Sequence, residues 1–126
     1  MRKTGNPIVD LSFEFSLSII RFSEQLEEKQ KFVISKQILR SGTSIGANIW
    51  ESQNAESKID FIHKLKIAAK ETEETEYWLL LCQYSENYPD TEELRVELLN
   101  IKKLLSKIIS STKASLKNKE INTLAH

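Results

Sequence analysis

The amino-acid sequence predicts an all-α fold: an antiparallel up-down-up-down four-helix bundle, in one domain over residues 1–126. Three observations predict it. The 126 residues include only three Gly and two Pro, about 4% against roughly 12% in average usage, and a β-sandwich or barrel needs many more turn formers. Apolar residues recur at helical spacing in four separate stretches. The joints between those stretches are only a few residues long, which folds each helix back against its neighbour.

The first helix is expected near 7–27. Asn6 stands as N-cap and Pro7 takes the first helical position, where a missing N–H costs nothing. Ile8, Leu11, Phe15, Ile19, Phe22 and Leu26 follow at steps of three and four, up to the polar joint at Glu27-Glu28-Lys29-Gln30. The second helix, near 31–54, carries Ile34, Ile38, Ser41, Ile45 and Ile49. Ser57 and Asp60 form a capping-box-like start for the third, near 57–87, whose core line is Phe61, Leu65, Ala68, Thr72, Thr75 and Leu79. Pro89 punctuates, Asp90 caps and Glu93 takes the N3 position of the fourth helix, near 90–116. Its stripe is Leu94, Leu98, Ile101, Leu105, Ile108 and Thr112. The tail 117–126, with His126 at its end, loses periodicity and is expected to be loose.

Composition narrows the class further. Eighteen Lys and Arg balance eighteen Asp and Glu, and a chain 29% charged and 40% hydrophobic is not of the disordered type. The basic start Met1-Arg2-Lys3 is followed by no signal-peptide h-region, and the apolar run Tyr77–Tyr84 is far short of a membrane span. The chain is therefore expected to be cytoplasmic, with no membrane partner. Cys82, the one cysteine, reads as a small buried hydrophobe.

Two helices carry more apolar surface than a bundle core needs. On the third helix, Tyr77-Trp78-Leu79-Leu80-Leu81-Cys82 girdles the rod, and Trp78 lies on the same side as Ile67, away from Leu79. On the second, Leu39, Gly42, Gly46 and Trp50 form a band about 100° from the Ile34–Ile49 stripe. A mid-helix Gly costs about 1 kcal/mol relative to Ala, so Gly42 and Gly46 mark a notch where another backbone comes close. That backbone belongs either to this chain or to another subunit.

The segments 40–51 (RSGTSIGANIWE), 57–61 (SKIDF) and 64–79 (KLKIAAKETEETEYWL) resemble the signature of the bacterial four helix bundle protein family, the 23S rRNA-intervening-sequence proteins. Trp50 stands where that family usually has a small residue. The resemblance implies an antiparallel bundle assembled as a ring, commonly a homopentamer, in a family whose biochemical role is largely unestablished. It also implies a relation to a branch that serves reverse transcriptases and binds nucleic acid through a basic surface; the balanced charge here departs from that branch.

Arg40, Asn48, Glu51, Lys70, Glu71 and Glu74 are the polar members of the matching motif and are expected to make inter-helix or inter-subunit salt bridges, with Asn48 fixing register. Asp60-x-x-His63 superficially resembles half of a di-iron bundle site, but no Glu-x-x-His pair accompanies it, so no metal or other cofactor is expected. No Ser/His/Asp or Cys/His set exists, so no enzyme and no small-molecule substrate is inferred. Charge does separate along the chain. Glu51–Glu76 holds seven acidic and four basic residues (−3), whereas Arg95–Glu120 holds seven basic and two acidic (+5). Lys102, Lys103, Lys107, Lys113 and Lys117 fall within about 140° of one another. The sequence thus predicts a homo-oligomeric, non-enzymatic assembly or adaptor module whose partner is itself. The alternative is contact with structured RNA or a nucleoprotein through the lysine stripe.

Overall fold

The computed structural model of the chain describes residue 1 and residues 3–125; Arg2 of the basic start and His126 of the tail lie outside the described residues. Four helices follow in order: α1 (Pro7–Glu28), α2 (Phe32–Ser52), α3 (Lys58–Tyr84) and α4 (Glu92–Ala125), with no strand among the described residues. Each packs on the next and α4 returns to α1, while the diagonal pairs stay apart. This is the expected up-down-up-down bundle. Its core is the interior of the four stripes, from Ile8, Phe15, Ile19 and Leu26 through Ile38, Ile45, Ile49, Leu65 and Leu79 to Leu98, Ile101 and Leu105.

The helix ends show where local chemistry departs from the expected pattern. Ser57 caps α3, its hydroxyl accepting from the Asp60 N–H at 3.0 Å. Asn6 precedes α1 in extended conformation, but its side chain makes no cap; its amide donates to Gln53 Oε1 at 3.0 Å, tying the start of α1 to the end of α2. Asp10 in the first turn of α1 instead reaches back to the preceding segment, its carboxylate accepting from the Thr4 N–H and hydroxyl, and is thereby held below the usual carboxylate range. α4 begins one residue beyond the expected Asp90 cap. Buried Thr91 sits there, donating through its N–H and hydroxyl to Gln83 Oε1, both at 2.9 Å, so the start of α4 is fixed by α3. The α1–α2 joint uses no glycine: Gln30 takes φ 63°, and the Lys31 N–H reaches back to the Leu26 carbonyl at 2.8 Å. Two stripe positions also shift. Leu11 is exposed and Ser12 takes its place inside, while Phe61 is half-buried and Ile62 buried, because real helices turn their stripes to follow two neighbours at once.

The tail is a correction. Residues 117–125 continue α4 as helix instead of loosening at Leu116. Lys117, Lys119, Glu120, Leu124 and Ala125 favour helix, and neither Gly nor Pro interrupts them. The lost periodicity registers a lack of packing, not a lack of helix: residues 117–124 are exposed throughout. At 34 residues α4 runs about 51 Å, whereas α1 at 22 residues runs about 33 Å. Ser18 and Phe22 of α1 share a cleft with Leu94 and Glu97 of α4, which sets the α1/α4 level, so the C-terminal turns of α4 extend beyond the start of α1; there Lys58 Nζ, at the start of α3, donates to Ser115 Oγ at 3.1 Å.

Gly42 and Gly46 face α1 of the same chain. A Cβ at Gly42 would stand 2.9 Å from both Cγ1 and Cγ2 of Ile19, and one at Gly46 would stand 2.9 Å from Ser16 Oγ and 3.2 Å from the Ser12 carbonyl oxygen. The glycine band is thus an intramolecular notch. Gly42→Ala trades roughly 1 kcal/mol of helix propensity against roughly 1–3 kcal/mol of overpacking. Urea unfolding is expected to show a net loss of about 1 kcal/mol, and truncating the clashing side chain in Gly42→Ala/Ile19→Ala should show favourable coupling between the two sites. A Gly42→Ala variant more stable than wild type would mean that α1 and α2 are free to separate.

Candidate functional site

The outer face shared by α2 and α3 gathers most of the motif residues. α2 runs antiparallel to α3, and the contacts run evenly along the pair: Glu51 pairs with Lys64 at 3.2 Å, Arg40 meets Glu71 and Glu74, and Ser41 meets Thr75. Arg40 reaches Glu71 Oε2 at 3.5 Å and bonds to Glu74 Oε2, and that same oxygen accepts the Trp78 Nε1–H at 3.1 Å. One carboxylate therefore ties a guanidinium on α2 to an indole one turn further along α3. Arg40 is 49% exposed, so this clamp contributes orientation more than stability, about 1 kcal/mol or less.

The remaining members of the expected polar network do not join it. Asn48 donates to the Ser44 carbonyl of its own helix at 2.9 Å and so fixes no register across helices. Lys70 projects on the other side of α3, into a groove against α4. The register comes from groups that the sequence reading did not single out as a set, buried hydroxyls at core-stripe positions. Thr75 Oγ1 donates to Ser41 Oγ at 3.0 Å between α3 and α2, and Ser35 Oγ donates to the Ser23 carbonyl at 2.9 Å between α2 and α1. The available signal was Ser and Thr recurring at positions that helical spacing assigns to the interior. Every buried polar side-chain atom among the described residues has a partner.

Trp78 and Ile67, expected to face a partner, are half-buried, and Trp78 packs against the core while meeting Tyr77 edge-on at 5.4 Å. Leu39 is likewise half-buried against the core. Exposed apolar surface lies elsewhere on this face. Tyr77, Leu81 and Tyr84 follow one another at i, i+4 and i+7 along α3, and Val33 of α2 lies level with Leu81 by the α2/α3 register; Val33 is 76% and Tyr84 87% exposed. Trp50 is 51% exposed at the α1/α2 edge, beside Phe13 and Gly46.

The α4 lysines divide. Lys102 is drawn between Glu73 and Glu76 of α3, at 2.8 and 3.0 Å, and the hydrogen bond it donates to Glu73 raises its pKa above the ordinary lysine value. Lys113 is exposed and lines the groove between α4 and α3. Lys103, Lys107 and Lys117 are exposed, with no carboxylate in ion-pair range among the described residues. Among the described residues, no three His, Cys, Asp or Glu side chains gather as metal ligands, and no helix is long and apolar enough to cross a membrane.

A family model described as 23S rRNA-intervening sequence protein matches residues 6–110. The chain belongs to that family. A solved structure described as a protein with unknown function from the S23 ribosomal protein family of Bacteroides thetaiotaomicron VPI-5482 is similar at 50% identity. Its TM-score is 0.77, over 81% of this chain and 97% of that one. Comparison with curated proteins gives no match. The family match ends at residue 110, so the last turns of α4 extend past the shared bundle.

Cys82 is buried on α3, and burial pushes its thiol up to about 11 from an ordinary 9.0. A raised folded-state value means that its contribution to stability is complete below about pH 9 and is lost as pH rises through 11. Thiol labelling of native protein at pH 8 is therefore expected to follow unfolding, slowing as stabilising co-solvent is added. Rapid labelling unaffected by co-solvent would place Cys82 at the surface.

Proposed function

We propose that the chain is a non-enzymatic, cytoplasmic assembly module that associates with copies of itself, as a ring of the kind its family resemblance implies. The observation that carries this reading is the apolar stripe Tyr77, Leu81 and Tyr84 with Val33 beside it, on the outward face of α2 and α3. The bundle core is complete without these side chains, so a neighbouring subunit is the natural means of removing them from water. The Arg40–Glu74–Trp78 clamp at the edge of the patch holds one wall in a fixed orientation, which a repeating interface requires. The number five rests on the family resemblance alone.

Light scattering is expected to give an oligomer at micromolar concentration. Leu81→Glu and Tyr84→Glu should weaken association by roughly thirtyfold or more, while helical content stays unchanged. A wild-type monomer at that concentration would contradict the reading.

A second reading, contact with structured RNA, draws on Lys103, Lys107 and Lys117, exposed and without an ion-pair partner among the described residues. Lys102 is already engaged by Glu73 and Glu76 and contributes little to it. Binding to a ribosomal RNA fragment should then fall with salt at roughly 0.7–0.9 in log K per log salt for each phosphate contacted. Lys103→Glu/Lys107→Glu should abolish binding without affecting assembly. A gel shift that is absent, or indifferent to salt, rejects it.

A further inference from the structure

The last turns of α4 reach past the bundle shared with the family, and residues 117–124 are exposed although helical. A helical extension without packing has only its propensity to hold it, so a partner surface would add what the bundle does not supply. One side of the extension is ordered by kind. Lys113, Lys117, Ile121 and Leu124 follow at i, i+4, i+8 and i+11, within about 80° of one another. All four are exposed, Ile121 at 53% and Leu124 at 87%. Neither lysine has a carboxylate in ion-pair range among the described residues. A surface complementary to this stripe is acidic at one end and apolar at the other.

The seam between α1 and α4 has that character. Its cleft of about 720 Å³ is lined by Asp90, Glu92, Glu93 and Glu97 against a single cation, Arg21, and none of the four carboxylates makes an ion pair among the described residues. Burial pushes the Glu97 carboxyl above its ordinary range, so an arriving ammonium would meet a poorly solvated charge. Two turns further along the same seam the surface turns apolar. Leu11, seven residues before Ser18 on α1, is 43% exposed, and Leu104, seven residues after Glu97 on α4, is half-buried. The spacings agree: Glu93, Glu97 and Leu104 stand on α4 at the intervals of Lys113, Lys117 and Leu124, displaced by twenty residues. That displacement is about 30 Å along a helix, so a chain cannot reach its own seam. We propose that the extension of α4 docks on the α1/α4 seam of a second copy, parallel to its α4. Lys113 and Lys117 then pair with Glu93 and Glu97, and Leu124 covers Leu11 and Leu104. The offset sets the two bundles largely end to end, and because the joined surfaces differ the contact runs head to tail. It lies across the bundle from the α2/α3 face that carries Tyr77, Leu81 and Tyr84, and it stands whether or not that face associates.

Sedimentation equilibrium of full-length chains tests it, in a Leu81→Glu/Tyr84→Glu background that disables the α2/α3 face. The background chain should still associate, more weakly as salt is raised. Lys113→Glu/Lys117→Glu and Glu93→Lys/Glu97→Lys should each weaken that association about tenfold or more. Mixed one to one, the two charge-reversed chains offer an acidic extension to a basic seam and a basic extension to an acidic one. Association of the mixture should return to within about threefold of the background chain. Circular dichroism of each variant establishes that the helices are retained. A background chain monomeric up to roughly 0.5 mM, charge reversals without effect, or a mixture no tighter than its components overturns the proposal. Loss of RNA binding in Lys113→Glu/Lys117→Glu with self-association intact overturns it too, assigning the stripe to nucleic acid. Failure of the α2/α3 face shows separately, as wild-type association that Leu81→Glu/Tyr84→Glu leaves unchanged.

Discussion

The close approach of α1 and α2 at Gly42 and Gly46 is the constraint on which the bundle depends. Ile19 and the backbone at Ser12 come so near α2 that a methyl group at either glycine would overlap them. Both glycines carry a helix-propensity penalty of about 1 kcal/mol each, and the compensation is dense contact along two helices whose interior side chains are nearly all fully buried. Once α1 lies in this notch, the Ser23–Ser35 hydroxyl pair falls into register a few turns away, and the buried face of α2 is set. That orientation directs Ser41 toward Thr75 and so places α3. The outward side of α2 then carries Arg40 toward Glu74 and Trp78.

α4 is held differently. Its start is fixed by Thr91 on Gln83, and its middle by Leu98, Ile101 and Leu105 in the core, with Lys102 between Glu73 and Glu76. Ile108 and Ile109 still pack against the core, whereas residues 117–124 are exposed. The chain thus combines a tightly packed three-helix unit with a fourth helix bound along part of its length. Lys103 and Lys107 project outward from the packed part of α4, and Lys117 lies on the part that leaves the bundle. Specialised surface chemistry fits there, since substitutions at those positions do not disturb the core.

The architecture was legible because it is written in apolar periodicity and in the scarcity of Gly and Pro. The stripes through Phe15, Ile19, Ile38, Ile45, Leu65, Leu79, Leu98 and Leu105 lie where helical spacing put them. The helix ends were less legible. Thr91 displaced Asp90 as the start of α4 because Gln83, eight residues earlier, offers a buried acceptor, a tertiary contact that local sequence does not announce. The tail misled because loss of periodicity signals absence of a packing partner, and a segment free of Gly and Pro stays helical without one. At the candidate site, the motif resemblance grouped Arg40 with Glu71 and Glu74 among residues expected to form salt bridges, and these three do meet across α2 and α3. Asn48 and Lys70 separated from them because side-chain direction, not sequence proximity, decides which neighbour is met: Asn48 turns back to Ser44, and Lys70 points toward α4.

The most direct test is hydrogen exchange measured residue by residue on the intact chain. If the α1–α2 notch organises the bundle, amides of α2 around Gly42–Ile49 and of α1 around Ser12–Ile19 should exchange only by global unfolding, while those of residues 117–125 exchange by local opening with little protection. Protection at the end of α4 equal to that of α2, or α2 amides exchanging well before α3, would contradict it.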